Sequence, residues 1–128
     1  MPRISLYAGV TQTTGQDIDI QLFLDDIHSG RWQDIVLPIR AERSKDARAA
    51  LKRQLPAVTI SGVFAERKDG SLTTHSGYIA IDLDDLYDQV EPVKHRLAND
   101  PFIAAAFASV SGNGLCVLFK IEGSSRCN

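Results

Sequence analysis

Cysteine and long apolar runs are both scarce in this sequence, and each scarcity excludes a class of protein. The two cysteines, Cys116 and Cys127, have neither the spacing of a zinc site nor the number that a disulfide framework needs. No apolar run is long enough to cross a bilayer, and the residues after Met1 lack the apolar core of a signal peptide. The sequence therefore predicts a cytoplasmic protein with no membrane partner.

The sequence also has little excess of charge of either sign, since its formal net charge is only -2. That value does not by itself indicate nucleic-acid binding. The charges are unevenly distributed, however: residues 40–53 contain six basic and two acidic side chains, whereas residues 82–91 contain five acidic and no basic ones. Solvated surfaces are the default explanation of both segments. The alternative is an enzyme that binds polyanions through a metal at one place and through Lys and Arg at another. Such an enzyme needs one acidic and one basic segment.

Apolar periodicity predicts a mixed α+β chain with one core, for which 128 residues are sufficient. The predicted strands cover residues 4–10, 57–64, 77–83, 102–110 and 115–122. The first predicted helix is capped by Asp17 or Asp19 and ends at Ser29-Gly30, and the other predicted helices cover residues 32–39, 44–54 and 87–98. The second half of the chain is therefore predicted to have the order strand, helix, strand, strand.

The most informative stretch is Gly77–Leu86, where an unbroken apolar run ends in carboxylates at Asp82, Asp84 and Asp85. Because continuous apolar sequence is typical of a strand buried on both faces, we expect this strand to lie inside a sheet. Side chains alternate along a strand, so Asp82 and Asp84 project from one face, roughly 6 to 7 Å apart. Hard cations such as Mg²⁺ prefer carboxylate and phosphate oxygens, so the pair favours phosphoryl or nucleotidyl transfer. The alternative is an acidic helix start.

A glycine-containing turn separates the last two predicted strands. It consists of Ser111, Gly112, Asn113 and Gly114. Asn-Gly between apolar runs predicts a β-hairpin with antiparallel strands. The same turn could bind a phosphate through Ser111 and exposed backbone N–H groups, because glycine lets a polyanion approach the main chain. The strand order would place this turn's strands beside the acidic strand.

Further candidate residues lie before the acidic strand. Lys45, Arg48 and Lys52 share one side of the predicted third helix and could contact nucleic-acid phosphates. His75 could contact a nucleotide, although a structural role in its loop is the simpler interpretation. For Cys116, the sequence favours a small apolar residue on a strand over a nucleophile.

Other chemistry of aspartate motifs fits less well. A calcium loop would need a glycine and a distal glutamate that this stretch lacks. Haloacid-dehalogenase-like phosphatases also carry Asp-x-Asp after a strand, but there the motif is followed by Gly-Thr or a similar pair, whereas Asp84 is followed by Asp85-Leu86. A small metal-dependent phosphatase is therefore the least favoured alternative.

Four stretches together resemble a known family. They are Leu55–Phe64, His75–Leu86, Asp100-Pro101 and Ala106–Leu115. In this order and spacing they are similar to the VirE-type N-terminal domain of phage and mobile-element replication proteins, which in turn is similar to the catalytic core of archaeo-eukaryotic primases and primase-polymerases. The resemblance extends, with gaps, from about residue 4 to residue 121.

The resemblance implies a fold and partners. The expected fold is α+β, with a small α/β unit (1–64) packed on an RNA-recognition-motif-like strand-helix-strand-strand unit (71–122) in a primase-polymerase-like domain, 1–128. The domain would be the N-terminal part of a longer DNA replication protein that also contains a helicase or primase C-terminal domain. Its partners would be a nucleoside triphosphate and a DNA template.

The resemblance also implies roles for residues. Asp82 and Asp84 would be the metal-binding catalytic pair of a nucleotidyltransferase, with Mg²⁺ or Mn²⁺ as cofactor. The second motif, which binds nucleotide phosphates, corresponds to residues 111–114 and Cys116, where Cys116 replaces the family's basic residue. A third carboxylate is used on a later strand, and Glu122 is the only acidic residue downstream. The alternative is a catalytically inactive nucleic-acid-binding or partner-docking module of the same fold.

Overall fold

A computed structural model of the protein describes residues 2–9, 12–68 and 70–121. Within these ranges the chain is a mixed α+β protein with four α-helices and three small sheets, as the coarse prediction stated. It divides into two compact units, Met1–Ser76 and Gly77–Asn128. The predicted units ended at residue 64 and began at residue 71, so the structure places the boundary later in the chain.

The first unit is built on its first strand. β1 (Arg3–Tyr7) pairs antiparallel with β2 (Gln16–Asp19) on one side and with β3 (Ala57–Thr59) on the other. The sequence predicted a polar turn over residues 11–16 followed by a helix, and no strand where β2 lies. Only Ile18 of β2 is apolar and buried, so pairing with β1, rather than a pattern of its own, holds this strand in place.

The helices of the first unit are α1 (Ile20–Ser29), α2 (Gln33–Ala41) and α3 (Lys45–Lys52). The Asp19 carboxylate accepts a hydrogen bond from the N–H of Gln21 and caps α1, which ends at Gly30 in the left-handed conformation, φ 80°. Of the two predicted caps, Asp17 and Asp19, the structure selects Asp19, and the helix ends where the sequence predicted. No helix in the described ranges is long and apolar enough to cross a membrane.

The helix α2 extends further than predicted. It continues past Pro38 to Ala41. The proline removes only one helical hydrogen bond, and the fully buried Ile39 anchors the last turn. The helix α3 begins where predicted, with the Ser44 hydroxyl accepting a hydrogen bond from the N–H of Ala47 at 3.3 Å.

The predicted strand over residues 57–64 is two strands. β3 is followed by a turn and then by β4 (Gly62–Phe64), which pairs antiparallel with β5 (Leu72–His75) in a separate two-stranded sheet. A β-carbon on Gly62 would overlap the carbonyl oxygen of Thr74, so glycine permits the close approach of these strands. The polar residues of β5 were predicted as a loop, and their pairing with β4 makes them a strand.

The second unit has the predicted order of strand, helix, strand, strand. Its elements are β6 (Tyr78–Leu83), a 3₁₀ turn (Tyr87–Gln89), α4 (Val90–Leu97), β7 (Ile103–Ala108) and β8 (Leu115–Lys120). The sheet order is β6-β8-β7, with both pairs antiparallel, so the predicted hairpin is confirmed. Its core is formed by the buried residues Val90, Leu115 and Val117.

Contrary to the prediction, the acidic strand does not lie inside the sheet. β6 is an edge strand, and Ile79 and Ile81 are 41% and 42% exposed. The prediction was wrong because β8, and not β6, is the central strand; Leu83 packs against the core, but Ile79 and Ile81 stay exposed. A continuous apolar run does not distinguish an edge strand from a central one. The carboxylates consequently lie at an open edge.

Candidate functional site

The paired aspartates lie at the end of the edge strand β6. Asp82 is within the strand, opposite Cys116 of β8, and Asp84 directly follows the strand. Both residues are exposed. Since they are two positions apart at an open sheet edge, both carboxylates are accessible to a ligand from solvent.

Cys116 is coupled to the first aspartate. Burial, the charge of Asp82 and a hydrogen bond to the Asp82 side chain raise the pKa of the Cys116 thiol from 9.0 to about 11. The thiol therefore stays protonated at neutral pH and donates to the Asp82 carboxylate. A protonated thiol is a poor nucleophile and a poor metal ligand, so Cys116 fits neither role at neutral pH.

The hairpin turn between β7 and β8 packs against the segment that carries the second aspartate. The carbonyl oxygen of Asn113 accepts a hydrogen bond from the N–H of Leu86 at 2.8 Å. A β-carbon on Gly114 would overlap the carbonyl oxygen of Leu83 and lie 3.4 Å from the Cα of Asp84. Glycine at position 114 thus permits this approach, and the structure brings the two predicted motifs of the second unit together.

Most N–H groups of the turn are bonded within it. The N–H of Gly112 donates to the Ser109 carbonyl at 2.9 Å, that of Asn113 to Ser111 Oγ at 3.3 Å, and that of Gly114 to Ser109 Oγ at 3.2 Å. In the described ranges the N–H of Ser111 is the one backbone donor of the turn without an acceptor. The turn therefore offers fewer free donors than predicted: this N–H and the exposed Asn113 side chain, and phosphate binding by them stays a prediction.

The chain turns sharply after the acidic strand through two left-handed residues. Asp85 has φ 57° and Tyr87 has φ 49°, and the Tyr87 hydroxyl lies 3.4 Å from Asp85 Oδ1. Such conformations cost roughly 1 kcal/mol or more for each non-glycine residue. The sequence analysis did not predict them. Aspartate tolerates this region and so carries a weak signal, whereas tyrosine carries none.

The other predicted site residues lie in the first unit. His75 is the exposed last residue of β5, opposite Gly62, and its contact with a nucleotide stays a prediction. On α3, Lys45 and Lys52 are exposed, but Arg48 is partly buried and its Nε has no hydrogen-bond partner in the described part of the chain. The helix thus presents two accessible cations rather than three.

The acidic strand end suits a cation that takes most of its ligands from elsewhere. Residues 2–9, 12–68 and 70–121 contain no group of three or more His, Cys, Asp or Glu side chains arranged to hold a metal ion. Mg²⁺ and Mn²⁺ need only one or two protein carboxylates when substrate phosphates and water complete the shell. Asp82 and Asp84 meet that requirement. Glu122 lies outside the described residues.

The fold and site together define a class: an α+β domain in which an acidic strand end adjoins a glycine-containing hairpin turn. The chain belongs to the BT4734-like family, whose N-terminal domain matches residues 50–127, more than half of the chain. The matched region includes both aspartates and the turn. No curated protein and no solved structure matches the chain. The resemblance to VirE-type domains and primases stays a prediction.

The raised pKa of Cys116 makes its reactivity a test of the coupling to Asp82. We expect alkylation of Cys116, followed by mass spectrometry in a Cys127→Ser variant, to accelerate as pH approaches about 11 rather than 9.0. Because the folded protein holds this proton more tightly than the unfolded chain, stability should fall as pH rises from 9.0 to about 11. Asp82→Asn should lower the pKa only partly, since burial is the larger cause. An unchanged profile in Asp82→Asn would contradict the coupling.

Proposed function

We propose that this protein binds a nucleoside triphosphate through one Mg²⁺ or Mn²⁺ ion at Asp82 and Asp84, as a primase-polymerase-like domain of a DNA replication protein. The observation that carries the proposal is the packing of the hairpin turn against the end of β6. The Asn113 carbonyl accepts from Leu86, and Gly114 adjoins Leu83 and Asp84. Groups suited to a cation and groups suited to a phosphate are thereby combined in one site.

The role of each group in the proposed site follows from its chemistry. The carboxylates of Asp82 and Asp84 supply negative oxygens, and the Cys116 thiol donates a hydrogen bond to the first of them. A bound cation would neutralise charge on the triphosphate and polarise its phosphorus–oxygen bonds. The N–H of Ser111 and the side-chain amide of Asn113 would donate to phosphate oxygens.

Nucleotidyl transfer is the further part of this proposal. Two-metal transfer needs more negative charge than two carboxylates supply, so it requires a third acidic group in addition to this pair. DNA would be contacted by the exposed Lys45 and Lys52 of α3, for which no ion pair is found in the described ranges. These cations favour the alternative function as well, that of a nucleic-acid-binding module without catalysis.

Calorimetric titration of a deoxynucleoside triphosphate in the presence of Mn²⁺ tests the binding site. We expect saturable binding by the wild-type protein and at least a tenfold loss of affinity in Asp82→Asn/Asp84→Asn, because loss of both charges removes the cation's protein ligands. Asp88→Asn, an exposed aspartate in the 3₁₀ turn outside the pair, is the matched control and should bind like wild type.

Two outcomes decide between the candidate functions. Equal titration curves for the wild-type protein and the double variant would reject the metal–nucleotide site. If that result were accompanied by single-stranded DNA binding that weakens in Lys45→Ala/Lys52→Ala, the non-catalytic module would be the better description. Template-dependent extension of a primer that is lost in the double variant would establish the enzyme.

A further inference from the structure

The strand that carries the first aspartate has an open edge. β6 pairs with β8 on one side, and in the described ranges of the chain no strand pairs with its other side. The four residues from Ile79 to Asp82 are all exposed, although side chains on both faces of the sheet are among them. An edge strand presents backbone N–H and C=O groups that can bond to a further strand. The open edge of β6 is therefore a candidate interaction surface.

The hydrogen bonds between β6 and β8 show which backbone groups face this edge. The N–H of Ile121 donates to the Gly77 carbonyl at 2.8 Å, so these two residues form a hydrogen-bonded pair in continuation of the β6–β8 register. Hydrogen-bonded and non-bonded pairs alternate along an antiparallel ladder, so the odd-numbered residues of β6 bond to β8. The N–H and C=O groups of Ala80 and Asp82 consequently point away from β8, toward the open edge.

Ile79 and Ile81 form an apolar ledge beside this edge. They are 41% and 42% exposed, and they lie opposite Phe119 and Val117 of β8, which belong to the core of the second unit. The ledge is thus an uncovered continuation of that core. The side chain of Asp82 projects from the other face, because side chains alternate along a strand. A partner that covers the ledge therefore does not have to cover this carboxylate.

We infer that the β6 edge pairs with the β6 edge of a second copy of the chain, antiparallel and centred on Ala80. About that two-fold axis the two Ala80 residues exchange both backbone hydrogen bonds, and each Ile79 lies opposite the other copy's Ile81. The four isoleucines then cover one another, and the two three-stranded sheets become one sheet of six strands. The inference does not depend on the proposed metal and nucleotide site.

The distribution of charge favours this antiparallel pairing. Asp82, Asp84 and Asp85 are all at one end of the strand. In the register centred on Ala80 the two copies of Asp82 lie about 13 Å apart along the strands, at opposite ends of the pairing. A parallel pairing would place them side by side, where like charges are destabilising. Because one strand pair is small compared with a standard interface, we expect a weak dimer that forms at high protein concentration.

Sedimentation equilibrium over a range of protein concentrations, in the presence of a chelator, tests the pairing. We expect a monomer–dimer equilibrium for the wild-type protein and at least a tenfold weaker dimer for Ile79→Lys, which places a charge in the apolar contact. Leu37→Lys, the same type of change at a leucine of α2 that is 50% exposed, is the matched control and should dimerise like wild type. Ala80→Pro should also weaken the dimer, because it removes an N–H that faces the open edge and is not needed by β8.

Complementary charges test the register. Ile79→Lys and Ile81→Glu should each dimerise weakly, whereas their equimolar mixture should associate about tenfold more strongly than either alone, because opposite charges then face each other across the axis. Circular dichroism establishes that each variant is folded. A mixture that associates no better than its components would overturn the register centred on Ala80. A wild-type protein that stays monomeric at every concentration, or a dimer insensitive to both Ile79→Lys and Ala80→Pro, would overturn the inference, and the first result would leave the edge to a strand of another protein.

Discussion

Replacing Gly114 with alanine is expected to destabilise the second unit and to weaken binding at the acidic strand end. The added methyl group would overlap the carbonyl oxygen of Leu83 and lie 3.3 Å from its carbon. These are backbone atoms, so no flexible side chain can move aside and the chain near Asp84 must shift. Forced overpacking of this kind costs about 1 to 3 kcal/mol. Thermal unfolding followed by circular dichroism, with nucleotide titration in Mn²⁺, measures both effects.

Gly9→Ala is the matched control for Gly114→Ala. A β-carbon there would lie 3.8 Å from the Arg53 carbonyl oxygen, which is an ordinary contact, and Gly9 is not among the left-handed residues. We expect its unfolding temperature and its nucleotide affinity to stay close to those of the wild type. If Gly114→Ala behaved like Gly9→Ala, the close approach of the turn to β6 would not be what positions Asp84.

Features specified by a few neighbouring residues could be predicted from the sequence. The helix α1 has a capping carboxylate at Asp19 and a left-handed glycine at Gly30, and both signals act within one turn of helix. The hairpin of β7 and β8 is indicated by the Ser-Gly-Asn-Gly segment between apolar runs, although the left-handed residue of the turn is Gly112, φ 82°, and neither Asn113 nor Gly114. Each of these features depends on chain that is local in sequence, so a single segment contains the whole signal.

Features that depend on distant partners could not be predicted in this way. β2 and β5 are short and mostly polar, and they are strands because β1 and β4 supply their hydrogen bonds. The position of β6 at an edge follows from its pairing with β8 alone, which the apolar run of β6 does not encode. Intrinsic strand preference is weaker than such tertiary context.

The candidate site also combines features that are specified locally with features that depend on distant partners. The spacing of Asp82 and Asp84 is visible in the sequence, and so is the Asn-Gly pair of the turn. That Cys116 faces Asp82 follows only from the register of β6 with β8, which no local pattern specifies. The Ser109 hydroxyl accepts a hydrogen bond from the N–H of Gly114. This bond likewise depends on the folded turn and has no signal in the sequence.

Leu115→Ala is expected to lower stability strongly while leaving nucleotide affinity intact below the unfolding temperature. Leu115 is fully buried beside Val90 and Val117, and its strand position is opposite Leu83. Truncating a buried leucine costs about 2 to 5 kcal/mol, because apolar contacts are lost and the cavity collapses only in part. Thermal unfolding by circular dichroism measures the loss, and calorimetry with Mn²⁺ and nucleotide at low temperature measures binding.

Ile79→Ala is the control for the core substitution, because Ile79 lies on β6 but is 41% exposed. It should cost clearly less stability than Leu115→Ala, and an equal loss would contradict the position of the core. The comparison with Gly114→Ala is the more informative one, since the two variants change neighbouring residues. If Leu115→Ala binds nucleotide normally while folded and Gly114→Ala does not, the contact of the turn with the backbone of β6 positions Asp84. If both variants lose affinity to the same extent, the packing beneath the strand is what positions Asp84.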